Sequence, residues 1–297
     1  MPAPFAPAQL PAMGKALLAT VLWGCSFIAV RIALDAATPA GLVWMRNALA
    51  ALLLFGLLRL RGGAFLPQPG DRLRVAGLGL LMGLHYLLQA EAMRHTSAMQ
   101  AGWIMAFIPA VVAVGAWLFQ GQRMRAIGWL GIAAASVGVF VLTTADPAQL
   151  TDAGLGDGLL FLSTFTWATY ILLSGAPARR SGALCIAAGV TATSVLPTAL
   201  LALVQGSWYA APTTPTVAAL VFLGAGAGAI ALWAFTTAIA ELGPERSAAF
   251  QYLQPFVTLV AAFVILSEPI GRAQLIGGPV VLLGVWLVQR GKRAVAK

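Results

Sequence analysis

Long apolar runs alternate along this chain with short segments that carry the charges, prolines and glycines. A helix that crosses a bilayer takes about 20 predominantly apolar residues. On that measure the pattern predicts ten helices, at roughly 15–34, 39–58, 74–93, 97–119, 126–144, 157–175, 182–204, 217–239, 246–267 and 272–290. Polar positions inside the runs are too few to form a wet face, and a helix that is apolar all round belongs in a membrane or a core. The first run follows Lys15 as a signal peptide's would. At about 20 residues it outlasts the usual hydrophobic region of such a leader. It also has a counterpart later in the chain, so it is read as the first helix.

Composition narrows the class. Of 297 residues, 60% are hydrophobic and 9% are charged, where a soluble domain carries about 25% charged residues. So little charge cannot wet a surface of this size, which excludes a soluble globular enzyme. Ten helices consume roughly 200 positions, and what remains makes short loops. The expected fold is therefore an all-α integral membrane protein. Cys25 and Cys185 both lie inside apolar runs, where a thiol behaves as a small hydrophobe. Neither a disulfide nor a metal site is expected, and no cofactor.

The net charge of +9 would suggest nucleic acid in a soluble domain. Here its distribution explains it. With the N-terminus in the cytoplasm, Lys15, Arg59, Arg61, Arg72, Arg74, Arg123, Arg125, Arg179, Arg180, Arg246, Arg290, Lys292, Arg293 and Lys297 fall on the cytoplasmic side. Arg31, Arg94 and Arg272 fall outside, and Arg46 lies within the second helix. A bias of 14 to 3 obeys the positive-inside rule with both termini cytoplasmic. No nucleic-acid partner is needed.

The chain also repeats itself. Ala92 to Leu142 aligns without a gap on Ala238 to Val288, at an offset of 146. Pro109 falls on Pro255, Gly131 on Gly277 and Gly138 on Gly284, while upstream Thr20 and Trp23 match Thr164 and Trp167 at an offset of 144. The division is into 1–145 and 146–297, two units of five helices. Five is odd, so the second unit enters the membrane from the opposite side. Inverted repeats are a transporter plan, with the substrate site expected near the midplane between the halves.

Several stretches also resemble a known family. They are LLATVLWGCSFIAVRIA in the first helix, Trp44 to Leu49 in the second, and SAAFQYLQPFVTLVAAFVILSEPI and RAQLIGGPVVLLGVWLV in the last two. Together they resemble the EamA family of the drug/metabolite transporter superfamily over essentially the whole chain. The run through helices nine and ten is the most specific part. The first half departs from it, with Gln122 where the second has Glu268. The resemblance implies an inner-membrane carrier of amino acids, metabolites or drugs, commonly exported. The polar and aromatic inventory leans it towards the YddG-type branch of aromatic amino-acid exporters.

That inventory sits at the centres of the spans: Trp23 and Ser26 in helix one, His85, Tyr86 and Gln89 in helix three, Trp167 and Tyr170 in helix six, and Gln251, Tyr252 and Gln254 in helix nine. Trp103 lies in the outer half of helix four. Polar groups at this depth must face protein or water. Gathered together they would make an aromatic, hydrogen-bonding, uncharged cavity suited to an amphipathic zwitterion. Packing competes as a reading for each, and amides also serve as interhelical glue. Arg46, the one full charge well inside a span, is assigned mainly to structural or gating work rather than to the solute. Pro109 and Pro255 each remove a backbone bond and push on the carbonyl four residues back, at Met105 and Gln251. They are candidate hinges, with a static bend as the alternative.

Coupling to protons or sodium usually needs an ionisable group at depth. No Asp or Glu lies in the middle of a span, and only His85 titrates near neutral pH. Facilitated diffusion is the expectation, with proton exchange through His85 as the variant. A polyspecific exporter of lipophilic cations would need a cavity carboxylate, and none is visible. An intramembrane enzyme would need a motif such as HExxH, and a non-transporting partner protein would not need polar groups at the midplane. The expected partners are a small solute and the lipid bilayer. A monomer suffices for this plan, although small-residue faces leave the oligomeric state open.

Overall fold

The computed structural model describes residues 9–121, 124–144 and 152–291. Gln122, Arg123, Lys292, Arg293 and Lys297, invoked above, lie outside the described residues. The described residues form ten helical rods without a strand. They are α1 (Leu10–Ala33), α2 (Pro39–Leu60), α3 (Arg72–Ala92), α4 (Ala98–Gln120), α5 (Ala126–Thr144), α6 (Asp152–Ser181), α7 (Ala183–Gln205), α8 (Thr214–Leu242), α9 (Pro244–Leu266) and α10 (Arg272–Gly291). Eight spans, α1 to α4 and α6 to α9, are long and apolar enough to cross a membrane. In α5 and α10 the apolar stretches are shorter, Ala126–Leu142 and Gln274–Val288.

Local chemistry sets the starts of these rods. Thr38 caps α2 by accepting from the Gly41 amide at 3.0 Å, with Pro39 in the first turn. Ser97 caps α4 by accepting from the Gln100 amide at 3.0 Å. Each cap satisfies a donor that a helix start leaves without an intrahelical partner. The Glu268 carboxylate, beyond the end of α9, takes two more at the same α4 terminus, the amides of Ala98 at 3.0 Å and Met99 at 2.9 Å. Helix α6 outruns its expected limits of 157–175. Its last turn carries Arg179 and Arg180, which suit a helix C-terminus. Arg180 also donates to the Asp71 carboxylate, with Nε at 2.9 Å.

Two rods are interrupted where the prolines predict it. The first segment of α4 ends at Met105, and a new segment begins at Ile108 with Pro109 in its first turn. In α9 a tight 3₁₀ stretch, Phe250–Leu253, precedes the segment beginning at Gln254, again with proline, Pro255, in the first turn. A third irregularity was not anticipated: α8 widens into π-type turns over Phe222–Ile230.

The packing follows a regular scheme. Helix α1 packs on α8 and α9, α6 packs on α3 and α4, α2 on α7, and α5 on α10. The α5–α10 crossing is antiparallel and has almost no side-chain thickness. Gly131 lies against the Gly284 carbonyl and Gly138 against the Gly277 carbonyl. Only residues without a Cβ let two helices approach so closely.

Candidate functional site

A cavity opens where α1, α2, α3, α4, α6 and α9 meet. Trp23 and Trp167, the paired tryptophans of the repeat, touch at its centre with ring centroids 4.9 Å apart, edge to face. This geometry is favourable for aromatic pairs. Phe235 of α8 closes the cluster, 5.0 Å from Trp23. The Trp23 indole donates to the Ala227 carbonyl at 3.0 Å, an acceptor in the π-turn segment of α8. Ser26 lines the cavity and donates to the Trp23 carbonyl at 2.8 Å.

On the α3 side, His85 stacks on Trp167 with centroids 5.4 Å apart. Its Nδ1 lies 3.1 Å from the Ser163 carbonyl and 3.0 Å from the Thr166 hydroxyl. The Thr166 hydroxyl itself donates to the Ser163 carbonyl at 2.7 Å. A carbonyl can only accept, so Nδ1 carries the proton and a neutral His85 keeps its acceptor lone pair at Nε2. Tyr86 and Gln89 line the same space, with the Gln89 amide donating to the Met105 sulfur at 3.5 Å. Gln251 and Gln254 enter from α9, both buried, each with its amide oxygen unpartnered.

Arg46 also lines this cavity. Only 2% of it is exposed, its guanidinium carbon sits 3.8 Å from the centroid of the Tyr86 ring, and it forms no ion pair among the described residues. The site thus holds one buried cation among aromatic rings and amides, and no carboxylate lines it. The cavity holds about 20 Å³ of free space. Free room is on the order of one water molecule.

Three expected residues stand elsewhere. Trp103 is buried against Gly278 of α10 and Phe256 of α9. Tyr252 points to α10 and donates to the Val285 carbonyl at 3.2 Å. Tyr170 forms a second layer, stacked 5.1 Å behind Trp167 and bonded to the Thr236 hydroxyl at 2.5 Å. Pro109 and Pro255 sit one residue past Ile108 and Gln254, at the restarts of the two broken helices. Phe27, Met105 and Ile108 line the cavity without having been anticipated. An apolar side chain in an apolar helix carries no signal of its own, but Met105 was marked indirectly as the carbonyl that Pro109 displaces.

Comparison with known proteins agrees with this architecture. The EamA-like transporter family profile matches twice, over residues 10–144 and 154–290. A probable terminal-alkyne amino-acid exporter of Streptantibioticus cattleyicolor is 30% identical, covering 92% of both chains. The uncharacterized inner membrane transporter YedA of Escherichia coli is 24% identical over 95% of this chain and 92% of its own. An uncharacterized transporter of Archaeoglobus fulgidus is 26% identical over 91% of this chain and 94% of its own. One crystal structure, 19% identical, covers 93% of this chain and 95% of its own with a TM-score of 0.68, a likeness of fold. Two family matches that together take in nearly every described residue, on eight membrane-length helices, make this a multi-pass membrane transporter and not an enzyme: the chain belongs to the EamA-like transporter family.

Proposed function

We propose that the protein is a facilitative exporter of small amphipathic metabolites, specifically aromatic and neutral amino acids, across the bacterial-type inner membrane. The observation that carries this reading is the central cavity, in which Trp23 and Trp167 meet among buried amides, an imidazole and one guanidinium. Apolar faces take the side chain of the solute and polar groups take its backbone, the division expected of a small-molecule site. The relative from Streptantibioticus cattleyicolor, named as an amino-acid exporter, supports the solute class. A lipophilic cation would meet Arg46 as a like charge, which counts against a polyspecific drug exporter.

In this reading all ten helices span, and the halves 1–145 and 146–297 are inverted repeats. The packing scheme supports the inversion. Exchanging α1 with α6, α2 with α7, α3 with α8, α4 with α9 and α5 with α10 returns the main packing pairs, although α6 also packs on α7 and α8 where α1 has no comparable packing on α2 or α3. The contact of Gly131 with Gly284 becomes that of Gly277 with Gly138, and the two helices run antiparallel, as an in-plane two-fold requires. The basic residues, 14 against 3, support cytoplasmic termini. The cavity is lined by one chain, so a single copy suffices. It is too narrow for an amino acid as it stands, and the solute enters when the helices around it separate towards one side.

The test is flux into liposomes holding the purified protein, with labelled phenylalanine, tryptophan and threonine, with and without an imposed pH gradient. Saturable flux without a gradient, abolished in Trp167→Ala, is the expected result. Flux that needs the gradient would overturn the facilitative form, and no flux of any amino acid would overturn the solute class.

A further inference from the structure

Arg46 is a buried cation with no counter-ion among the described residues, and the atoms it leaves unpartnered are particular ones. Both Nε and Nη2 are buried without a hydrogen-bond partner. These two nitrogens share one edge of the guanidinium, and their N–H bonds run parallel at the spacing of two carboxylate oxygens. The Tyr86 ring covers a face of the same guanidinium, 3.8 Å away, which holds the plane by cation–π attraction and leaves the edge open. Were Arg46 a brace between helices, that edge would be bonded to backbone carbonyls. It is not.

Two other residues that line the cavity have the complementary defect. The amide oxygens of Gln251 and Gln254 are buried acceptors without a donor, on residues 1% and 4% exposed. Buried polar atoms without partners are few in native proteins and costly to keep. Here a residue with two unpartnered charged donors and two residues with unpartnered neutral acceptors line one small cavity together with aromatic rings. An α-amino acid presents the matching set, with two carboxylate oxygens to accept and an ammonium group to donate.

We propose that Arg46 is the carboxylate receptor of this carrier and that Gln251 and Gln254 receive the ammonium group, so that the solute must be a free zwitterionic α-amino acid. The assignment rests on the carrier reading above, and it changes the role expected of Arg46 from gating to recognition. The donor edge fixes the carboxylate, the two amides fix the nitrogen, and the side chain is left against Trp23, Trp167 and Phe27. Esters, amides and amines lack the group that neutralises Arg46, and are excluded by that charge rather than by size.

The experiment is titration calorimetry on the purified full chain with phenylalanine, phenylalaninamide, 3-phenylpropionate and phenethylamine, for the natural protein, Arg46→Gln and Arg46→Lys. In the natural protein phenylalaninamide and phenethylamine should bind about ten- to a hundredfold more weakly than phenylalanine, the worth of hydrogen bonds to a charged group. 3-Phenylpropionate should keep an intermediate affinity. Arg46→Gln should reduce phenylalanine to the level of its amide, and Arg46→Lys should restore only part, since an ammonium lacks the fork. Equal binding of phenylalanine and phenylalaninamide to the natural protein would overturn the assignment while leaving the carrier reading intact. So would discrimination that survives in Arg46→Gln. If none of the four binds, the amino-acid reading falls with it. The ligand series on the natural protein decides even if a variant fails to fold.

Discussion

The rear segments of α4 and α9 follow one plan. Ile108–Gln120 and Gln254–Leu266 are both 13 residues long, stand 146 residues apart, and carry proline in the first turn after a helix break. Both end in a left-handed residue, Gly121 at φ 67° and Ser267 at φ 55°. What they present to the cavity is opposite. At the break α4 offers Met105 and Ile108, while the equivalent positions of α9 offer Gln251 and Gln254. The backbone was duplicated and kept, whereas the chemistry at its bend diverged until one half supplies an apolar wall and the other a polar one. A site between two like halves need not be symmetric. A symmetric one could not tell the two ends of a zwitterion apart.

That contrast can be broken deliberately. Converting the second half to the first, Gln251→Met with Gln254→Ile, keeps side-chain volume and removes both acceptors. Phenylalanine affinity should fall about tenfold or more, from two lost hydrogen bonds to a charged group, with thermal stability retained or raised because two orphan amides are gone. The reciprocal Met105→Gln should change affinity by no more than about threefold, since no solute charge waits on that wall. Calorimetry beside a melting curve reads both.

A smaller effect tests the shared backbone rather than the divergent chemistry. Any side chain at Gly284 runs into the Ala135 backbone, and one at Gly138 into Val281. Gly284→Val and Gly138→Val should each destabilise by about 1–3 kcal/mol, the usual cost of overpacking. The two losses should match within about 0.5 kcal/mol if the crossing is truly two-fold. Unequal losses in denaturant melts would mean that the halves are alike in sequence but not in packing. The smallest effect lies at the helix ends. Ser267→Gly should gain about 0.5–1 kcal/mol by relieving a left-handed residue that has a Cβ. Gly121→Ser should lose a similar amount.

Most of the scaffold was legible in the sequence because membrane helices advertise themselves by length and apolarity. The expected 182–204 and 246–267 lie within two residues of Ala183–Gln205 and Pro244–Leu266. Two spans were misjudged: α1, which begins at Leu10 rather than 15, and α6, whose last turns hold Arg179 and Arg180. Hydropathy ends where the bilayer does, and a helix does not. That Trp23 and Trp167 would meet was legible because the repeat returns a tryptophan at the matching position, and the two rings line one cavity. Trp103 and Tyr252 were at suitable depth but turned away, because rotation about the helix axis depends on neighbours such as Gly278 that no single helix reveals. The environment of Arg46 was hidden for a related reason. A charge in a span announces cost, and only the three-dimensional packing shows that no acidic partner meets it among the described residues.

The two bonds from Glu268 to the start of α4 tie the residue just past α9 to the first turn of α4, across the two repeats. Those amides have no other acceptor within their own helix. If the halves part at that end, two backbone donors are stripped at once, and water is the only replacement at hand. Unsealing and wetting are therefore one event at this rim. A parting of α4 from α9 would cost both backbone hydrogen bonds unless water replaced them.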